Sequence, residues 1–125
     1  MSISSDIKDK TALLKELLEL RLAARSGSVR AQYLLGIKLG TTENGPKEVA
    51  EAVKWYRKAA QQDFAPAQNN LGLLLAGKRL ENPQPEEAVK WFRRAAQQGM
   101  AAGQWNLARH LWQGEGVVKL SLIHI

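Results

Sequence analysis

The chain has 125 residues, 45% of them hydrophobic and 24% charged, which is a globular rather than a disordered composition. It contains no cysteine, so a disulfide framework, a thiolate metal site and a Cys nucleophile are all excluded. Its 18 Lys and Arg outnumber its 12 Asp and Glu to give +6, but the excess is spread along the chain and forms no basic arm or tail.

The first residues mix Asp6, Lys8, Asp9 and Lys10 ahead of any apolar run, unlike a signal peptide. No stretch approaches the ~18 apolar residues of a membrane span. With Met1 as the start, this implies a cytoplasmic protein. From about Lys10 to Arg25 the spacing predicts a capping helix. Leu13, Leu14, Leu17, Leu18 and Leu20 are its apolar residues, and Lys15, Glu16, Glu19 and Arg21 give it a wet side. Residues 1–30 are expected to form this cap and a degenerate half repeat, because Ala23-Ala24 lies 36 residues before Ala59-Ala60.

Beyond the cap the sequence repeats itself. Glu51-Ala-Val-Lys-Trp55 returns as Glu87-Ala-Val-Lys-Trp91, and Ala59-Ala-Gln-Gln62 as Ala95-Ala-Gln-Gln98, both 36 residues on. Residues 31–66 and 67–102 align without gaps with 16 identities in 36 positions. Gln104, Asn106, Leu107 and Leu111 continue the register into a third unit over 103–119.

Each unit reads as two helices. The first is expected at 31–40, 67–76 and 103–112, with Leu35/Leu71/Leu107 and Leu39/Leu75/Leu111 on one stripe. Gly36 and Gly72 lie beside that stripe. Gly inside a helix costs up to ~1 kcal/mol, so its return points to a close helix approach, with Ala59-Ala60 and Ala95-Ala96 as the natural partners. The second helix begins after Asn44-Gly45-Pro46 and after Asn82-Pro83-Gln84-Pro85. There Ala52, Val53, Trp55, Tyr56, Ala59 and Ala60 share one side, and Lys54, Arg57, Lys58 and Gln61 the other. The next unit divides in the same way, which places Trp55, Tyr56, Trp91 and Phe92 in the core. Gly99 suits a helix stop at positive φ, where the preceding unit has Asp63. One helix pair cannot bury its apolar face alone, so the units must stack. The expected fold is all-α, a right-handed solenoid of antiparallel helix pairs.

These residues resemble Sel1-like repeats, relatives of the tetratricopeptide repeat. The family's unit runs A-x-x-x-L-G-x-x-[YL]-x-x-G, a loop, then A-x-x-W-[YF]-x-x-A-A-x-x-G. Ala31, Leu35, Gly36, Leu39, Ala52, Trp55, Tyr56, Ala59 and Ala60 fill it once. Ala67, Leu71, Gly72, Leu75, Ala88, Trp91, Phe92, Ala95, Ala96 and Gly99 fill it again. In the third unit Leu107, Leu111, Gly114, Gly116 and Val117 match the first half and its loop, with Ala108 where Gly is usual. The resemblance implies a non-catalytic scaffold whose first helices line a concave face. Cysteine-rich relatives carry β-lactamase labels. The absence of cysteine departs from that subgroup, which leaves a hydrolase as the least favoured alternative. The final Leu120–Ile125 looks like a translated sequencing-adapter end, so the natural protein is expected to be longer than this chain.

The chemistry is sparse. His110 has no carboxylate at helical spacing, and His124 falls in the suspected adapter. There is no H-x-x-x-H motif and no carboxylate cluster. Glu86 and Glu87 are adjacent and diverge on a helix, where they suit its positive end. No cofactor, metal or catalytic residue is expected.

Binding is the better expectation. The third, fourth and seventh positions of each first helix turn away from the core: Tyr33, Leu34 and Ile37; Asn69, Asn70 and Leu73; Trp105, Asn106 and Arg109. Such a mixture suits a protein or peptide partner, with amides for extended backbone and aromatics as anchors. Leu34, Ile37 and Leu73 also suit packing against an adjacent unit, and Trp105 packing against the missing helix. On the other side Lys54, Arg57, Lys58, Lys90, Arg93 and Arg94 form a basic stripe, with Lys78 and Arg79 nearby. Nucleic acid or another anionic polymer is therefore the alternative partner, but no exposed aromatics interleave with the stripe as single-strand binding would require.

Overall fold

A computed structural model describes residues 3–41 and 43–113. The expectations for the loop after Gln113, and for the suspected adapter, lie outside these residues. The described chain forms six helices: α1 (Ile3–Arg25), α2 (Val29–Leu39), α3 (Pro46–Ala60), α4 (Ala65–Ala76), α5 (Pro85–Gln97) and α6 (Ala101–Leu111). Each packs on the next, and α4 also packs on α6. The fold is therefore all-helical with a 36-residue period. None of the helices is long and apolar enough to cross a membrane.

Local chemistry sets the helix ends. Pro46 and Pro85 open α3 and α5 at the position where a missing N–H costs nothing. Ser28 caps α2 by accepting from the Ala31 N–H at 3.1 Å. Three second-to-first helix turns, 36 residues apart, place Gly27, Asp63 and Gly99 at positive φ. At each one the next residue's N–H reaches back five residues, to Ala23, Ala59 and Ala95. This closes the preceding helix with a Schellman motif. Asp63 holds the same conformation without the freedom of glycine, because a short polar side chain tolerates the left-handed region.

The core follows the predicted stripe. Leu35, Leu71, Ala52, Ala59, Ala60, Ala88, Ala95 and Phe92 are fully buried, and Trp55, Tyr56 and Trp91 nearly so. The glycines lie against different partners than expected. A Cβ at Gly36 would stand 2.6 Å from the Tyr56 ring, and one at Gly72 would stand 2.5 Å from the Phe92 ring. The second helix of the same unit lays an aromatic ring across each glycine. The alanine pair instead admits Gly103 of the following unit, whose Cβ would lie 2.8 Å from the Ala95 methyl.

Polar side chains tie one unit to the next. Gln32 and Gln68 are buried and donate to the carbonyls of Ala24 and Ala60 at 3.1 and 3.0 Å. They accept in turn from Gln62 and Gln98 at 3.0 and 2.8 Å. Arg79, expected near the basic stripe, turns back to donate to the carbonyls of Gly40 and Thr41 beyond α2.

The cap differs most from expectation. α1 starts at Ile3 and runs 23 residues against the 11 of α2, about 35 Å against about 17 Å. Leu17 and Leu20 pack on the core and Ala24 is buried. Leu13 stands exposed because α2 covers only part of the length of α1, and Leu14 and Leu18 because they lie on the side of α1 turned away from the core.

Candidate functional site

Two long faces are available, one built from the first helices α2, α4 and α6 and one from the second helices α1, α3 and α5. On the second-helix face the same cluster appears twice. Arg21 of α1 grips Glu51 of α3 with both guanidinium nitrogens at 2.5 and 3.3 Å, and Trp55 donates to the same carboxylate at 3.1 Å. Arg57 then reaches Glu87 at 2.8 Å, with Trp91 donating at 2.9 Å. Lys58 lies over the Trp55 ring at 4.9 Å and Arg94 over Trp91 at 5.0 Å.

These contacts set the charge states. The bond from Arg21 holds the Glu51 carboxyl below its ordinary range, with Trp55 adding to it. Burial alone would push Glu87 up, but the bonds from Trp91 and Arg57 outweigh it and hold that carboxyl low as well.

Of the predicted basic residues, Lys54, Lys58, Lys90, Arg93 and Arg94 are exposed and Arg57 is half-buried in its ion pair. The stripe is thus interrupted by carboxylates. Its two tryptophans present their faces to cations of the same helix, so nucleic-acid bases find no open ring there.

The first-helix face is built differently. The three units place Tyr33, Asn69 and Trp105 at one position and Leu34, Asn70 and Asn106 at the next. Ile37, Leu73 and Arg109 follow three residues on. Tyr33 is half-buried, its ring 5.1 Å from Phe64 and 6.1 Å from Tyr56. Asn69 and Asn106 are both buried: Asn106 donates to the Asn69 Oδ1 at 2.9 Å, joining α4 to α6. Arg109 adds a bond to the Asn106 Oδ1 at 3.0 Å. These two amides meet each other, whereas the sequence suggested them as partners for an extended backbone. Asn70 is half-buried and donates to the Tyr56 hydroxyl at 3.4 Å. That hydroxyl is pushed up to about 12, first by burial, with the Asn70 bond opposing.

The exposed part of this face is an apolar row with one cation. Leu34, Ile37 and Leu73 stand 37–40% exposed, Trp105 stands 68% exposed, and Arg109 is open beside it. His110, next on α6, has its Nδ1 2.9 Å from the Asn106 carbonyl and its ring 4.9 Å from Phe92. Among the described residues no three or more His, Asp or Glu cluster in a way that could hold a metal ion.

Stacked helical hairpins joined by repeated side-chain ties define a helical-repeat protein. The comparisons with known proteins supply the family. The Sel1 repeat matches residues 29–64, 65–100 and 101–121, so the chain belongs to the Sel1 repeat family. It is similar to the crystal structure of a Sel1 repeat protein from Oxalobacter formigenes, with 32% identity and a TM-score of 0.61 over 80% of this chain and 75% of that one. No curated protein matches it.

Proposed function

We propose that this Sel1 repeat chain is a non-catalytic scaffold that holds a segment of a partner protein along its first-helix face. One observation carries the reading. Leu73, Trp105 and Arg109 are exposed on that face across consecutive units, and none of these residue types is repeated at the equivalent position of the other units. A large exposed indole beside aliphatic side chains and one cation is the composition of an anchor site, where Trp and Arg dominate binding energy. The buried Asn69–Asn106 pair fixes the spacing of α4 and α6 beneath it, so the anchors sit on a preset base.

Peptide display on the full chain, followed by titration of the selected peptides, tests the proposal. Trp105→Ala and Leu73→Ala each weaken binding by about tenfold or more under this reading. Peptides whose affinity ignores both substitutions would count against it. Affinity measured against salt separates the two macromolecular readings, because phosphate neutralisation on duplex DNA gives a log–log slope of about −0.9 per contact. The scaffold reading expects no measurable DNA or RNA binding at low salt.

A further inference from the structure

The water-facing residues of α3 and α5 are mostly charged, and those of α1 are not. In steps of 36 residues, Ala50, Lys54 and Lys58 of α3 correspond to Glu86, Lys90 and Arg94 of α5, and to Leu14, Leu18 and Leu22 of α1. Where the later helices turn mostly charge to solvent, α1 turns three leucines, 62–64% exposed. Ile7, two turns earlier, is exposed as well and extends the row to about 22 Å along the helix.

An additional repeat unit ahead of α1 would not cover this row. Ala52 and Tyr56 of α3 face Gly40, just beyond α2, and Gly36 of α2, and their equivalents on α1 are Glu16 and Leu20, on the opposite side from the leucines. Glu16 is instead paired with Lys38 of α2 at 3.3 Å.

The edges of the row are basic. At 100° per residue, Lys8 and Lys15 flank it on one side and Lys10 on the other, with Arg25 at its C-terminal end. All four are exposed, and no ion pair is formed by them among the described residues. Asp6, Asp9 and Glu16 lie away from the row, and Glu19 is the acid nearest its margin. A second copy of the chain would bring lysine against lysine along such a seam. A lipid surface is matched less well, because the row is one side chain wide and α1 has no aromatic residue to seat at a membrane interface. Flanking charges select the partner in helix pairing. We propose that the leucine face of α1 docks an acidic amphipathic helix of a partner protein, separately from the first-helix face.

The test is titration of the full chain with a synthetic helix of about 20 residues, with Leu at 3–4 spacing and Glu at the flanking positions. The same peptide with Lys in place of Glu is the comparison. The Glu peptide is expected to bind about tenfold tighter than the Lys peptide. Leu14→Gln with Leu18→Gln should weaken it by a similar factor, and Lys10→Glu with Lys15→Glu should reverse the preference. Circular dichroism verifies that these surface variants remain helical, and Trp105→Ala should leave the interaction unchanged, which separates this result from that of the first-helix face. Equal binding of the two peptides would overturn the proposal, as would indifference to the leucine substitutions. So would finding that those substitutions instead abolish self-association in sedimentation, or binding to phosphatidylserine vesicles.

Discussion

The two faces of this Sel1 repeat chain obey different rules. On the second-helix face Arg21 and Arg57, Glu51 and Glu87, and Trp55 and Trp91 recur at 36 residues and make the same contacts twice. On the first-helix face the equivalent positions hold Tyr33, Asn69 and Trp105, then Ile37, Leu73 and Arg109. A contact that must be made at every junction fixes the residues that make it, so recurrence marks structure. The exposed positions free of that duty, Leu73, Trp105 and Arg109, differ from unit to unit, and the partner-specific chemistry is expected there, whereas the unrepeated Asn69 is buried against Asn106.

The deepest repeated position should give the largest loss. Phe92 is fully buried and its ring lies across Gly72, so Phe92→Ala should cost about 3–5 kcal/mol in chemical denaturation. A loss below about 1 kcal/mol would show that the rings do not hold the two helices of a unit together.

A middle-sized effect should come from the glutamine ties. Gln68 is fully buried, donates to the Ala60 carbonyl and accepts from Gln98. Gln68→Ala removes both side-chain bonds, leaving the Ala60 carbonyl only its bond from the Asp63 N–H, and should cost about 1–3 kcal/mol by the same measurement.

The ion pairs should matter least. Arg57 and Glu87 are about one-third exposed, so solvent screening holds the pair to under about 1 kcal/mol. Their signature is in pH. Glu51 and Glu87 are both held below the ordinary 4.5, so the folded state binds protons less readily than the unfolded one. The stability they add is complete above that value and is lost as pH falls through the folded-state values. Melting temperatures of the parent chain and of Glu51→Gln/Glu87→Gln should therefore converge as pH falls from 4.5 through the lowered folded-state values. A gap that is constant from neutral to acid pH would remove the carboxylates from the account.

The same distinction explains what was legible in the sequence. The 36-residue offset and the proline and glycine signals locate the helices, and the placement of Trp55, Tyr56, Trp91 and Phe92 follows from their wheel positions. The Arg–Glu ties were also within reach, since both partners recur at that offset. The Asn69–Asn106 bond was not, because the pair occurs once and joins different positions of two units. Nor does the wheel reveal which residue covers a helical glycine: Gly36 and Gly72 meet aromatic rings because Tyr56 and Phe92 project further than the alanines beside them. On α1 the leucines read as cap residues, but Leu14, Leu18 and Leu22 lie on the side turned from the core, and leucines on both sides of one helix carry no signal of which side packs.

The most direct measurement pairs stability with binding in one set of variants, using a peptide selected on the full chain. Trp105→Ala should leave the melting temperature unchanged and raise the Kd about tenfold or more, whereas Glu87→Ala should lower the melting temperature and leave the Kd unchanged. If Trp105→Ala unfolds the chain or leaves the Kd untouched, the division between repeated structure and unrepeated recognition is wrong.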